Sequence, residues 1–169
     1  MPPLPKIPHP TILTYWHRYQ TRGPEDIQRS LKKLYDQQYP MMVYLMKAEG
    51  DSLNEAEHQM MYYLGTFIVE VVMGEFPTIP QVPEEMMAQA RELNVNMLVF
   101  LGSEDRPENF HDSMNDIIDA HPQSDLLRFV VEYLMRDPAC QESVREESVW
   151  ILFGHLKIVI DALIRTNPL

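Results

Sequence analysis

The apolar stretch at residues 150–164 places the strongest limit on how this chain can fold. Only three polar side chains interrupt it: His155, Lys157 and Asp161. A helix without a clean polar face is normally enclosed by other elements instead of lying on a surface. The stretch therefore predicts a central helix with the rest of the chain packed around it.

A second apolar stretch, residues 64–73, is the expected packing partner of the first. Each stretch contains one glycine, Gly65 or Gly154. A glycine inside a helix costs about 0.5–1 kcal/mol relative to alanine, so a glycine in both stretches suggests that a neighbouring helix comes close. We expect at least one of the two glycines to lie at a helix crossing.

Elsewhere the apolar residues recur at helical spacing, and glycine or proline separates the segments. Ile12, Tyr15, Trp16 and Tyr19, for example, fall at positions i, i+3, i+4 and i+7. No pair of segments shows the alternating pattern and tight turn of a β-hairpin. The sequence predicts an all-α, single-domain multi-helix bundle of about seven to nine helices around the two central apolar helices.

Prolines mark two irregular segments. The first ten residues contain five prolines, which favour an extended backbone without helical hydrogen bonds. This predicts an extended Pro-rich N-terminal arm at residues 1–10, followed by one helical domain at 11–169. Three further prolines at positions 77, 80 and 83 predict an irregular connection at 74–83 within that domain.

The charge of the chain is strongly asymmetric. The formal net charge is −11, but residues 1–48 hold seven Lys/Arg and three acids, a net of +4 that leaves −15 for residues 49–169. The overall acidity argues against nucleic-acid binding, which requires clustered basic surface. We expect the basic segment to lie on the acidic remainder of its own chain or of a second copy. The alternative is a basic patch for an acidic partner.

Several features favour a cytoplasmic protein. Cys140 is the single cysteine, so no intrachain disulfide can form, which fits a reducing compartment. The N-terminal residues lack the apolar region of a secretory signal. Both apolar stretches are shorter than the ~20 residues that span a bilayer. We therefore expect no membrane association.

Two E-x-x-H pairs raise the alternative of a metal-dependent helical enzyme. Glu55 and His58 form one pair, and Glu108 and His111 form the other. Residues at i and i+3 share one side of a helix, as in di-metal carboxylate bundles. Asp112 follows His111, which gives the His-Asp dipeptide of HD-type phosphohydrolases. Metal ligation by these five residues is the enzymatic alternative.

The positions of these pairs favour a structural role instead. The sequence predicts that Glu55 closes a capping box with Ser52 at the start of a helix. Glu108 follows Pro107 in a predicted first turn, where the helix dipole favours any acid. Ligands of di-metal bundles lie in the middle of helices. We therefore expect no catalytic residues and no cofactor.

The polar side chains in the apolar helices must be paired if they are buried, because an unpaired buried charge is costly. Lys157 and Asp161 are spaced i, i+4 and can pair along one helix. Glu70 is expected to meet His155 across the contact between the central helices. These four residues either pair structurally or line a ligand pocket. The second alternative is thus a small apolar ligand in a closed cavity beside the two glycines.

Aromatic and methionine side chains predict an interaction surface, because such side chains dominate adaptable binding sites. The candidates are Tyr15, Trp16, Tyr19, Met61 and Tyr62. The preferred interpretation is a non-catalytic protein-interaction, adaptor or regulatory protein. Its partner is another protein or, in a homodimer, a second copy of itself.

Overall fold

A computed structural model describes residues 4–48, 52–103 and 105–165. Within these ranges the chain forms eight α-helices and no β-strand, so the predicted all-helical bundle is confirmed. Residues 1–3 of the predicted arm lie outside the described ranges. The helices are α1 His9–Thr21, α2 Pro24–Lys47, α3 Glu55–Glu75, α4 Glu84–Leu101, α5 Phe110–Asp119, α6 Ser124–Arg136, α7 Pro138–Ser143 and α8 Glu146–Arg165.

The apolar stretch at residues 150–164 lies in α8, which is buried along most of its length. α8 packs most extensively against α4, then against α3, and also against α6. The second apolar stretch forms the latter part of α3, where residues 64–69, 71 and 72 are buried. The expected packing of α3 on α8 is therefore present, and α4 is an additional partner that the sequence did not indicate.

Both central glycines lie where a neighbouring helix comes close, as expected. A Cβ atom on Gly65 would collide with the side chain of Leu45 from α2. A Cβ atom on Gly154 would lie 2.6 Å from Cδ2 of Leu98, which projects from α4. The neighbouring leucines fill the space that a larger side chain would need.

Substitution of the two glycines by alanine should give unequal results. Leu45 is fully buried, so it has little room to yield to a new methyl group at Gly65. We expect Gly65→Ala to destabilise the protein by about 1–3 kcal/mol, because overpacking outweighs the gain in helix propensity. Leu98 is only partly buried, so Gly154→Ala should stay within about 1 kcal/mol of the parent. Urea unfolding measures both. Equal costs, or a larger cost at Gly154, would contradict this account.

The capping box of α3 uses different residues from those predicted. Asn54 is the N-cap: its side chain accepts a hydrogen bond from the Glu57 backbone N–H at 2.9 Å. The Glu57 carboxylate accepts one from the Asn54 N–H at 3.4 Å. The prediction of Ser52 and Glu55 was wrong by two residues. Asn54 and Glu57 repeat the same three-residue spacing, and asparagine caps at least as well as serine.

The sequence predicts that Pro40 breaks a helix, that Pro107 begins one and that a single last helix starts at Pro138. The break near Pro40 is present as a kink inside α2, whereas the other two boundaries were wrong. α5 begins at Phe110, not at Pro107. The last predicted helix is two helices, because Val144 has an extended backbone (φ −112°, ψ 124°) and a buried side chain. The need to bury Val144 is a tertiary effect that local sequence spacing does not reveal.

The kink in α2 and the irregular connection at 76–83 stabilise each other. Gln38 has non-helical backbone angles (φ −137°, ψ 44°) and is completely buried. Its side-chain amide donates to the Pro80 carbonyl at 3.0 Å and accepts from the Val82 N–H at 2.8 Å. One glutamine thereby satisfies two backbone groups of a segment that forms no regular structure.

The described part of the N-terminal arm lies on its own chain, at the start of α6. Ile7 is buried, and its N–H donates to the Gln123 side chain at 2.9 Å. The Gln123 amide donates in turn to the Pro5 carbonyl at 3.0 Å. Lys6 forms an ion pair with Asp125 at 3.2 Å. The side-chain amide of Gln123 thus holds the backbone of the arm at two points, through its oxygen and through its nitrogen.

Candidate functional site

An open concave site of about 680 Å³ lies among α1, α2 and α3, and we call it the tyrosine groove. Its volume falls within the range of about 300–1,000 Å³ that is typical of ligand sites in proteins. Most of the surface that lines it is carbon. The lining residues are Tyr19, Gln20, Arg22, Ile27, Leu31, Leu45, Met46, His58, Gln59, Tyr62, Tyr63 and Thr66.

The groove has a fixed floor and an exposed apolar rim. Tyr19, Leu45 and Thr66 are buried beneath it. On the rim, Ile27 is 37% exposed and Met46 is 47% exposed. Large apolar side chains at the edge of a concave site lose contact with water when another molecule covers them, which favours binding.

Hydrogen bonds hold the tyrosine hydroxyls of the groove in place. The Tyr19 hydroxyl lies 2.8 Å from the Tyr63 carbonyl oxygen and 2.6 Å from the Thr66 hydroxyl. Burial raises the pKa of Tyr19 to about 12, so the ring stays uncharged at neutral pH. The Tyr62 hydroxyl lies 3.2 Å from that of Tyr35, and burial raises the pKa of Tyr62 as well. The floor is therefore neutral and ordered before any partner arrives.

A second cavity of about 560 Å³ adjoins the groove, and we call it the basic pocket. It shares Tyr19 and Arg22 with the groove, so these two side chains separate the two spaces. Three cations line it: Arg18 from α1, Arg22 from the residue that follows α1, and Lys33 from α2. The full lining is Tyr15, Arg18, Tyr19, Thr21, Arg22, Asp26, Ser30, Lys33, Leu34, Gln37, Glu70, Met73 and Gly74.

Arg22, at the boundary, is already occupied by contacts within the protein. Its guanidinium lies 4.0 Å from the centre of the Tyr19 ring, and Nη1 lies 2.6 Å from a Glu70 carboxylate oxygen. The Ser30 hydroxyl donates to the same oxygen. Burial raises the pKa of Glu70 above its ordinary value, against the lowering influence of Arg22. Arg22 and Glu70 therefore balance each other's charge at this boundary.

The other two cations of the basic pocket keep their charge available. Among the described residues, neither Arg18 nor Lys33 forms an ion pair within 4 Å, although Arg18 stacks 5.2 Å from the centre of the Tyr15 ring and the charge of Lys33 helps to lower the pKa of Glu70. The remaining acid in the lining, Asp26, pairs with Arg29 at 3.0 Å. The pocket consequently carries a local excess of positive charge on an acidic protein.

Two of the predicted ligand-pocket residues, Lys157 and Asp161, form a buried polar cluster between α4 and α8. Their side chains meet at 2.7 Å, which confirms the predicted i, i+4 pair. Asn94 donates to Asp161 at 2.9 Å, and His121 Nε2 lies 2.7 Å from the other carboxylate oxygen. Lys157 also donates to Asn94 at 2.8 Å. Each member thus has partners that compensate for burial.

The hydrogen bonds of this cluster fix its charge. Burial by itself would raise the pKa of Asp161, but the hydrogen bond from His121 and the nearby Lys157 lower it to about 2. The Gln123 backbone N–H donates to His121 Nδ1 at 3.0 Å, so Nε2 carries the proton that faces Asp161. Asp161 is therefore a fixed anion inside a closed structural cluster.

The other two predicted pocket residues lie elsewhere. Glu70 bonds to Arg22 and Ser30, so the expected contact with His155 does not form. His155 Nδ1 instead lies 2.7 Å from the Tyr44 hydroxyl. Glu70 lies apart from them. Its partners come from α2 and from the residue that follows α1. The four predicted residues thus do not line one common pocket.

The predicted metal ligands lie in separate regions of the fold. Glu55 and His58 occupy the first turns of α3, where His58 lines the tyrosine groove. Glu108, His111 and Asp112 are exposed near the start of α5, and the His111 ring packs beside Trp150. In the described ranges, no three His, Cys, Asp or Glu side chains come close enough together to hold a metal ion.

The predicted interface residues divide into two groups. Tyr19 and Tyr62 line the tyrosine groove, and Tyr15 lines the basic pocket. Met61 is completely buried, because it lies on the inner face of α3. Trp16 stands at the centre of an aromatic cluster, in contact with the rings of Tyr19, Tyr63, Phe67, Phe129 and Tyr133.

Several groove and pocket residues were not singled out from the sequence: Ile27, Met46, Arg18, Arg22 and Lys33. Arg18 shares α1 with Tyr15 and Tyr19, and Arg22 directly follows the end of that helix, so a basic cluster beside the tyrosines was an available signal. The helical spacing of Ile27 with Leu31 and Leu34 predicts a buried side chain, whereas the structure leaves Ile27 37% exposed on the rim.

No protein-family model, curated protein or solved structure matches this chain. Among the described helices, none combines the length and apolarity that crossing a membrane requires. Function is therefore inferred from the chemistry of the groove and the pocket.

Proposed function

We propose that this chain is a non-catalytic protein-interaction module that binds an apolar segment of a partner protein in the tyrosine groove. The observation that carries the proposal is the exposed apolar rim, Ile27 and Met46, above an ordered tyrosine floor. In this account the apolar helices α3 and α8 form the central scaffold, and α1 and α2 complete the binding face.

The residue types of the groove support a protein partner. Tyrosine and arginine supply much of the binding energy at protein interfaces. Tyrosine buries a large area with few rotatable bonds, and arginine offers several hydrogen-bond donors. Methionine adapts to differently shaped side chains, and Met46 is positioned to do so at the rim. An amphipathic helix that places its apolar face in a hydrophobic groove is a common recognition mode.

A selection from displayed short random peptides tests this proposal. Enriched peptides would be synthesised with a fluorophore, and their affinities would be measured by fluorescence polarisation. We expect Met46→Arg to weaken binding by about tenfold or more, because a partner that covers the rim must desolvate the new charge. Leu93→Arg is the matched control, since Leu93 is an apolar residue with 64% exposure on α4, outside the groove.

Equal affinities in the two variants would overturn the proposal.

Light scattering of the parent chain and of Met46→Arg distinguishes a second copy from a foreign partner. A dimer that Met46→Arg dissociates would show that the groove is filled by another copy of the chain. Selection that yields no peptide, together with saturable binding of a small apolar dye in the groove, would identify a small-molecule site instead.

A further inference from the structure

We infer that the bound segment carries an aspartate or glutamate beside its apolar anchor, and that this carboxylate binds in the basic pocket between Arg18 and Lys33. The inference rests on the proposed function and specifies the chemistry of the partner. It assigns separate roles to the two cavities: the groove takes the apolar side chain, and the pocket takes the acid.

The position of the two cavities makes such a segment possible. Tyr19 and Arg22 line both of them, so a chain that leaves the groove on this side passes directly over the basic pocket. Arg18 belongs to α1 and Lys33 to α2, so the two cations reach the pocket from different helices. An acid in the pocket would therefore contact two of the three helices that border the groove.

The charges inside the pocket favour an anion. Its two carboxylates, Glu70 and Asp26, are each paired with an arginine, Arg22 or Arg29. A basic residue of the partner would meet two unpaired cations and would be repelled, whereas an acidic residue would be attracted. The pocket thus discriminates by the sign of the charge.

Only some of the cations in residues 1–48 form ion pairs with acids in the rest of the chain. Two of its cations reach acids beyond residue 48: Lys6 pairs with Asp125, and Arg22 pairs with Glu70. Arg18 and Lys33 have no such pair among the described residues. These two cations line the pocket that adjoins the groove, and their charges are available for a partner.

The test uses the peptides selected above and a pair of charge reversals on α2. Lys33→Glu is expected to weaken the binding of acid-bearing peptides about fivefold or more, because an attractive charge becomes repulsive. Lys32→Glu changes the net charge equally, but Lys32 is an exposed residue that pairs with Asp36 and does not line the pocket. It should have a much smaller effect. The difference between the variants should shrink at high salt.

A specificity change provides the second measurement. Selection against the Arg18→Glu, Lys33→Glu double variant should replace the acid beside the anchor with lysine or arginine. Replacement of the acid by its amide in a peptide selected on the parent should weaken binding to the parent. It should not weaken binding to the double variant.

The outcomes separate the two levels of the proposal. Peptides that bind the groove without an acid preference, with Lys33→Glu equal to Lys32→Glu, overturn the inference and leave the proposed function standing. Peptides whose binding is insensitive to Met46→Arg overturn both. A preference for basic residues in peptides selected on the parent also overturns the inference.

Discussion

Replacement of Asp161 by alanine should lower the free energy of unfolding by about 3 kcal/mol, because it leaves the Lys157 ammonium, whose side chain is only 13% exposed, without its counter-ion. The same change removes the acceptor for Asn94 and His121, which contact the carboxylate at 2.9 and 2.7 Å. Buried donors without acceptors add to the cost. Urea unfolding monitored by circular dichroism measures the effect.

The chain contains a matched control for this experiment. Asp36 pairs with Lys32 at the same i, i+4 spacing, but both side chains are well exposed, 66% and 80%. An exposed pair of this kind contributes about 0.3–0.5 kcal/mol, so Asp36→Ala should have little effect. Similar losses for the two aspartates would show that burial does not amplify the pair at Asp161.

The Asp161 cluster should also make stability depend on acid pH. The pKa of Asp161 is about 2 in the folded protein, below its ordinary value of 3.8. The folded state therefore favours the charged carboxylate, and this contribution is complete above about pH 4. It is lost as the pH falls from about 4 towards 2. Unfolding of Asp161→Asn over this range should show a weaker loss with acid than the parent shows.

Trp16→Ala should cost about 3 kcal/mol, the low end of the range for large aromatic residues, because Trp16 is partly exposed. Its ring lies 4.8 Å from that of Phe67 and 4.9 Å from that of Tyr133. It thereby joins α1 to both α3 and α6. Thermal and urea unfolding measure the loss, and Trp16→Phe should recover part of it because an aromatic ring remains.

The Trp16 experiment also separates the predicted interface role from a packing role. Leu13→Ala is the control on the same helix, since Leu13 is 45% exposed and its loss should have a small effect. A stable Trp16→Ala variant that has lost peptide binding would contradict the packing role and would restore Trp16 to the interface.

The helical fold was predictable because its main signal is local. The nearly continuous apolar character of residues 150–164 and 64–73 is visible without knowledge of the neighbours, and the glycines within them indicated close helix contacts. The break between α7 and α8 was not predictable in this way. Val144 departs from the helix to bury its side chain, and only the assembled core provides the space for it.

The candidate site was less predictable, for the same physical reason. The pairing of Lys157 with Asp161 was predicted correctly because the two residues are one helical turn apart on the same helix. Asn94 and His121 complete that cluster from positions 67 and 40 residues away from Asp161. The tyrosine groove likewise arises where three helices meet, so Ile27 and Met46 look like ordinary core positions until α1 is in place.

Gln123 links the N-terminal arm to the last helix, because it bonds to the arm through its side chain and to His121 through its backbone. The backbone N–H of Gln123 orients His121, which in turn donates a hydrogen bond to the Asp161 carboxylate on the last helix. Seating of Pro5 and Ile7 is thereby coupled, through shared bonds, to the integrity of α8. Because coupling is reciprocal, docking of the arm should stabilise α8, and α8 should stabilise the docked arm. The N-terminal arm and α8 should therefore unfold in a single cooperative transition.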